Sequence, residues 1–213
     1  MSKSQLFSGE TIDNIGPFKI IQKKNGYRFS EDPILLAEFA TPLSINDTVL
    51  DIGTGSGIIP LLLAYKTSVK KIVGVEIQDN LAKLAIRNIS LNGLAKRVKI
   101  LRCDFRELKR VFKGGSFSVV LSNPPYARAG SGRICPDPEK SIARHEMFGT
   151  LQELVQISRY LLKPKGMVFY IYPTARLQEV VSALTTEGLE VTRLKFAGTG
   201  KAVKCFLIEA GKK

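Results

Sequence analysis

The sequence predicts an α/β protein in which seven strands form a mostly parallel sheet, with helices on both faces and an antiparallel strand at the C-terminal end. Three observations carry this. From Thr48 onward, short apolar runs alternate with segments of helical periodicity. The first run closes in a Gly-rich turn, Asp51-Ile52-Gly53-Thr54-Gly55-Ser56-Gly57, that opens a helix. Gly198-Thr199-Gly200 separates the last two apolar runs, so the final pair reads as a hairpin.

Residues 1–12 are polar and read as a frayed end. Phe18–Gln22 and Tyr27–Phe29 flank Lys23-Lys24-Asn25-Gly26, an Asn-Gly turn signal for a β-hairpin. Ser30 then caps a short helix through Ala40, with Glu31 and Asp32 in its first turn, where the helix dipole favours acids. The core alternates strand and helix: Thr48–Ile52, Ile58–Tyr65, Lys71–Ile77, then Asp79–Asn92 with Leu81, Leu84, Ala85, Asn88 and Leu91 along one side. Val98–Cys103 is a strand, Phe105–Val111 a short helix and Phe117–Ser122 a strand. A polar loop rich in Gly and Pro leads to a helix over Thr150–Leu162 and a strand over Gly166–Tyr172. Thr174–Glu187 is the last helix, and Val191–Phe196 and Val203–Glu209 are the last strands. Residues 1–45 read as a hairpin-and-helix cover and 46–213 as the core of a single domain.

The 213 residues, 44% hydrophobic and 24% charged, suit a globular protein with a sizeable core. No apolar run approaches the roughly 20 residues of a membrane span, and Met1-Ser2-Lys3-Ser4-Gln5 lacks the apolar core of a signal peptide, so the expected location is the cytoplasm. Cys103, Cys135 and Cys205 are too few and too scattered for a disulfide framework or a zinc pattern, and His145 is the one histidine, so no metal is expected. The formal net charge of +13 draws polyanions over long range and makes nucleic acid the natural partner.

In a doubly wound sheet, ligands bind at the C-terminal ends of the strands near the switch in strand order. The Gly-rich turn departs from the NAD fingerprint: its third glycine comes one residue early, and Ile58 stands at the fingerprint position. Glu76 ends the second strand, where a carboxylate accepts from both ribose hydroxyls. Asp104 ends the third, placed to accept from an adenine amino group, with Phe105 set to lie against the ring. Asp51 is placed to meet a cationic amino-acid portion, directly or through water. Each acid alone also reads as a helix cap; three at the ends of consecutive strands favour a ligand. An adenine, a ribose and an amino acid without phosphate describe S-adenosylmethionine (SAM), and the absence of a basic residue from the turn agrees with it.

Asn123-Pro124-Pro125-Tyr126 follows the strand Phe117–Ser122. The Asn123 side-chain oxygen and the Pro124 carbonyl can accept both hydrogens of a planar amino group, and Tyr126 offers a flat face for stacking. Val49–Gly57, Gly74-Val75-Glu76-Ile77, Cys103-Asp104-Phe105 and Ser122–Tyr126 together resemble the Rossmann-like, seven-stranded SAM-dependent methyltransferases, in the motif order of the branch that methylates amino groups. Gly26–Ala37, Ala85-Ile86-Arg87-Asn88, Leu91-Asn92-Gly93-Leu94 and Ala143-Arg144-His145-Glu146 resemble, more narrowly, the bacterial tRNA adenine-N6 methyltransferases that modify adenosine 37 of a valine tRNA. The resemblance implies SAM as cofactor, bound by Asp51, Gly53, Gly55, Glu76, Ile77, Asp104, Phe105 and Asn123, and a catalytic set of Asn123, Pro124 and Tyr126. It also implies that Arg28, Ser30 and Asp32 close over the methionine portion, although Arg28 reads equally as a surface charge.

Arg128, Gly130, Gly132, Arg133 and Lys140 fall in a loop that reads either as a basic flap gripping RNA phosphates or as a solvated loop. His145 fits an anchor of that flap or an RNA contact better than a general base, and the roles of Arg144 and Glu146 stay open. The nearest rivals are glutamine methylation of a translation release factor, which uses the same tetrapeptide on a side-chain amide, and methylation of an rRNA base. The 1–45 segment is short for the recognition domain of a release-factor enzyme or of a DNA adenine methyltransferase. A non-catalytic RNA-binding protein of this fold would have no use for an intact set of acids. A monomer is expected.

Overall fold

In the computed structural model, which describes residues 6–25, 28–124, 149–199 and 202–212, a hairpin precedes the core, but not at the expected place. Strands β1 (Glu10–Ile15) and β2 (Phe18–Lys23) pair antiparallel with Ile15 opposite Phe18, so the turn is Gly16-Pro17 and not Asn25-Gly26. Gly16 takes φ 54°, the positive value that a two-residue hairpin needs at its first central position, and the Pro17 ring supplies a negative φ at the second. Residues 10–12, expected to fray, belong to β1. They are held because Arg87 pairs with Glu10 at 2.6 Å and its guanidinium lies 4.3 Å from the Phe7 ring centroid. Helix α1 (Asp32–Phe39) starts later than expected, with Glu31 in the capping position and Pro33 in its first turn. Ser30 Oγ still accepts from the Asp32 N–H, at 3.3 Å.

The main sheet is built of strands that are buried on both faces at its centre and partly exposed at its edges. They are β3 (Thr48–Ile52), β4 (Lys71–Glu76), β5 (Val98–Arg102), β6 (Phe117–Ser122), β7 (Leu162–Pro173), β8 (Leu189–Thr199) and β9 (Ala202–Lys212). Their order in the sheet is β5-β4-β3-β6-β7-β9-β8. β9 pairs antiparallel with both β7 and β8, and the other ladders are parallel. Alternation sends Val49, Val119 and Leu121 into one apolar layer with α1, α2 (Ile58–Lys66) and α3 (Asp79–Leu91). Leu50, Ile52 and Val120 enter the opposite layer with α4 (Leu108–Val111), α5 (Leu151–Leu161) and α6 (Leu177–Thr186). β7 begins at Leu162 and not Gly166; it passes through Lys165 at φ 60°, and the β6–β7 register shifts between Phe117 and Val119. The segment after it opens with a 3-10 turn, Thr174–Arg176, before α6.

Asn88 of α3 and Asn92, which caps the end of that helix, fasten the hairpin to the core. Asn88, fully buried, accepts from the Ile21 N–H (2.7 Å) and donates to the Ile21 carbonyl (3.1 Å) and the Ser56 carbonyl (2.9 Å). Asn92 repeats the pairing on Lys19, accepting at 2.9 Å and donating at 2.7 Å. The side-chain amides thus act as a short strand edge for β2, and Asn88 also holds the Gly-rich turn through Ser56. Truncation would leave buried backbone groups without partners, at roughly 1–3 kcal/mol each. Asn88→Ala is therefore expected to lower unfolding free energy by about 3 kcal/mol, read as a lower urea midpoint at unchanged slope.

Candidate active site

The chain winds outward from β3 to β4 and β5 on one side and from β6 to β7 on the other, so the strand order reverses between β3 and β6. In sheets of this kind ligands bind at the C-terminal ends of the strands beside such a reversal. Asp51 pairs with Leu121 and Ile52 with Ser122, and Ser122 Oγ donates to the Ile52 carbonyl at 2.8 Å. Asn123 and Pro124 therefore leave β6 immediately beside the Gly-rich turn. Pro125 and Tyr126, the loop carrying Arg128, Gly130, Gly132, Arg133, Cys135 and Lys140, and Arg144, His145 and Glu146 lie outside the described residues.

Gly53 (φ 76°) and Gly57 (φ 85°) shape the turn. A Cβ on Gly53 would meet nothing within 4 Å, so the backbone faces open space, whereas one on Gly57 would lie 3.3 Å from Ala85 Cβ and press on α3. Gly53 N–H and Thr54 N–H both donate to the Val75 carbonyl at 2.9 Å, which ties the turn to β4. Asp51 is fully buried, and neither carboxylate oxygen has a hydrogen-bond partner. Burial pushes its pKa up to about 7 and the charge of Glu76 adds to the rise; the nearby Thr54 hydroxyl opposes it from outside hydrogen-bond geometry. A carboxyl in that condition calls for a proton or a cation.

Glu76, 5% exposed, accepts from Gly55 N–H and Gln78 N–H, each at 2.9 Å. Burial raises its pKa, and the backbone donors work against the rise. With two oxygens and about four acceptor sites, it keeps capacity for further donors. Gly53, Val75, Glu76, Ile77, Cys103 and Phe105 line one cleft, which brings together four of the expected residues from three strand ends. Cys103 and Val75 were not anticipated. Cys103 lines it as a small apolar group, its thiol pKa raised by burial and by the charges of Asp104 and Glu107.

Asp104 caps the 3-10 turn Phe105–Glu107, accepting from Arg106 N–H at 2.9 Å, and its carboxylate pairs with the Arg106 guanidinium at 2.5 Å. Burial would raise its pKa; these Arg106 contacts outweigh burial and hold it below the ordinary value. Gly149 packs on the Phe105 ring so closely that a Cβ there would fall 2.2 Å from Phe105 Cζ, and the adjacent Thr150 opens α5 with a capping box to Glu153. Arg28, Ser30 and Asp32 are not among the residues lining the cleft. The Arg28 guanidinium bonds Asp13 (2.8 Å), Thr11 (2.9 Å) and the Lys23 carbonyl (3.1 Å), on the hairpin. Asp32 lies near Cys205 of β9, whose pKa is raised by burial and by that charge.

The sequence model of a methyltransferase domain matches residues 43–210. The chain belongs to the methyltransferase family. A tRNA1(Val) (adenine(37)-N6)-methyltransferase of Tolumonas auensis is 30% identical over 177 residues, spanning 83% of this chain and 72% of the relative. A protein of the same name from Porphyromonas gingivalis is 31% identical over 182 residues, spanning 83% and 71%. Among solved structures, a tRNA m1G37 methyltransferase of M. jannaschii superposes with TM-score 0.69 at 16% identity, over 96% of this chain and 57% of that one. A ribosomal protein L11 methylase of Lactobacillus delbrueckii gives 0.60 at 21% identity, over 85% and 77%. Both share the fold of this methyltransferase.

The residues at these strand ends fit SAM. Asp51 is a carboxylate without a partner, Gly53 leaves room for a close approach, Glu76 stands in the cleft with acceptor capacity, and residues 51–57 contain no cation to bind phosphate. No helix among the described residues is long and apolar enough to cross a membrane.

Proposed function

We propose that this methyltransferase transfers a methyl group to N6 of adenosine in tRNA, at adenosine 37 of valine tRNA, acting as a cytoplasmic monomer without a metal. The observation that carries the reading is the junction of β3 and β6, where the Asn123-Pro124 end of one strand lies beside the Asp51 end of the other. The names of the relatives supply the substrate. SAM is the cofactor; when bound, it supplies an electrophilic methyl group on a sulfonium centre.

The chain does the rest by positioning. Gly53, Gly55, Glu76, Ile77 and Phe105 hold the adenosine portion, with Asp104 at its edge, and Asp51 answers the ammonium through water or a small opening of the turn. Arg28, Ser30 and Asp32 close over the methionine portion from outside the cleft, with Arg28 bonded to the hairpin. The N6 lone pair is delocalised into the adenine ring and is a poor nucleophile. Asn123 Oδ1 and the Pro124 carbonyl accept the two amino hydrogens, turn the lone pair out of conjugation and favour the positive charge that builds on nitrogen. Tyr126 stacks on the base, which costs least to present from a single-stranded loop. The proton leaves nitrogen after transfer, when the substituted ammonium is a strong acid.

Purified protein with labelled SAM and unmodified tRNA is expected to yield N6-methyladenosine in valine tRNA, read by nucleoside mass spectrometry. Label confined to protein, or to rRNA, would overturn the reading in favour of a release factor or a ribosomal base.

A further inference from the structure

We infer that the β8–β9 hairpin is a second contact surface for the RNA, with Phe196 as a stacking platform for a nucleotide beside the target. This rests on the tRNA reading above and names the protein surface that would recognise the strand. The register of the sheet places it. Ser122 pairs with Tyr170, Tyr170 with Ile208, and Ile208 with Leu194. Phe196 stands two residues further up β8, level with the point where β6 has given way to Asn123-Pro124. β8 is three strands from β6, about 14 Å at the usual spacing of about 4.8 Å. The hairpin continues past that level through Gly198 and Thr199, so it rises to one side of those strand ends.

Its side chains suit single-stranded nucleic acid. Phe196 is 49% exposed, and Leu194 on the same face is 40% exposed, although their cross-strand partners Phe206 and Ile208 are fully buried. The core therefore does not account for an aromatic ring at this edge. Lys204 is exposed nearby, two residues from the partner Phe206, whereas Lys195 alternates onto the opposite face of the sheet, opposite Leu207. Thr174 Oγ1 donates toward the Val203 and Lys204 carbonyls at 3.2 Å, which ties the turn end of the hairpin to the segment that follows β7. An exposed ring with the cation Lys204 nearby, on a chain of net charge +13, is the combination that grips a strand without reading its sequence. The occupant is thus an RNA strand, not a second copy of an equally cationic chain.

The test is the affinity of wild type and variants for transcribed valine tRNA, measured by anisotropy over a range of salt. Phe196→Ala is expected to weaken tRNA binding about tenfold and raise the KM for tRNA to match, with SAM affinity unchanged. Phe196→Leu, which keeps apolar bulk without a flat ring, should lose affinity similarly, and Phe196→Tyr should retain it. Replacing Lys204 by Ala should lower the slope of log affinity against log salt by about 1, while Lys195→Ala on the opposite face should leave it nearly unchanged. A Phe196→Ala variant that binds tRNA within about twofold of wild type would overturn the assignment. So would sedimentation showing a wild-type dimer that Phe196→Ala dissociates, because a second copy would then cover the patch. Failure of the wild type to methylate tRNA would instead count against the proposed reaction, since binding is read without turnover.

Discussion

Asn123→Ala is expected to abolish methyl transfer, lowering kcat by about a thousandfold or more, while SAM affinity stays within about twofold. The size follows from what the side chain does and when. A carbonyl oxygen that accepts from the amino group gains strength as positive charge develops on nitrogen, so its loss falls on the transition state more than on the bound substrate. The strand that carries Asn123 is held by contacts of its own. β6 is locked to β3 through Ser122, whose hydroxyl donates to the Ile52 carbonyl, and Val119, Val120 and Leu121 are buried on either face. Single-turnover assays with tRNA, beside equilibrium dialysis with SAM, separate the two steps. A raised SAM dissociation constant with transfer intact would move Asn123 into the cofactor pocket, the other place the resemblance allows it.

How far the sequence revealed this arrangement depends on how local each signal is. β3 and β6 fall at the expected residues, since a strand buried on both faces writes an apolar run bounded by turn residues. The N-terminal hairpin was displaced because its support is not local. β1 is polar and half-exposed, and β2 is pinned by Asn88 and Asn92, some 70 residues later in the chain. Those asparagines belonged to stretches that carried the family resemblance, but nothing in their neighbourhood announces that they bond a distant backbone. β7 ran longer than expected because Lys163-Pro164-Lys165-Gly166 looks like a turn, and only pairing with β6 and β9 keeps it in the sheet. At the site, the glycines, Glu76 and Phe105 were legible from a strand-to-helix pattern. The Asp104–Arg106 pair was visible in principle as an acid two residues before an arginine at a helix start, and the cap and adenine roles proposed for Asp104 now compete for one carboxylate. What the sequence could not indicate is that Asp51 would be wholly enclosed.

Enclosure of Asp51 makes SAM binding and stability respond to pH in opposite senses. Its carboxyl is expected near its ordinary value of 3.8 in the unfolded chain and is pushed up to about 7 in the folded protein. Between those values the folded state keeps a proton that the unfolded state has lost, so stability falls as pH rises from about 4 to about 7 and is level above. The full effect is on the order of 4 kcal/mol. The cationic amino-acid portion of SAM favours the ionised form, whose fraction drops tenfold per pH unit below the pKa. The SAM dissociation constant is therefore expected to be about tenfold weaker at pH 6 than on its plateau above pH 8. Asp51→Asn keeps the shape and removes the charge. It should bind SAM about 10–100-fold more weakly at pH 8, with a flat pH profile. Without ligand it should be more stable than wild type at pH 8 by about 1–3 kcal/mol, since the amide still lacks a partner, and the gain should vanish near pH 4. Titration calorimetry with SAM and urea unfolding at pH 4, 6 and 8 read both arms. A wild-type SAM affinity unchanged from pH 6 to 8 would mean that the ammonium is met elsewhere. A variant less stable than wild type at pH 8 would mean that the buried carboxylate has a partner in solution. If both arms come out as expected, the methyltransferase keeps a destabilising charge in its core because only the bound cofactor satisfies it.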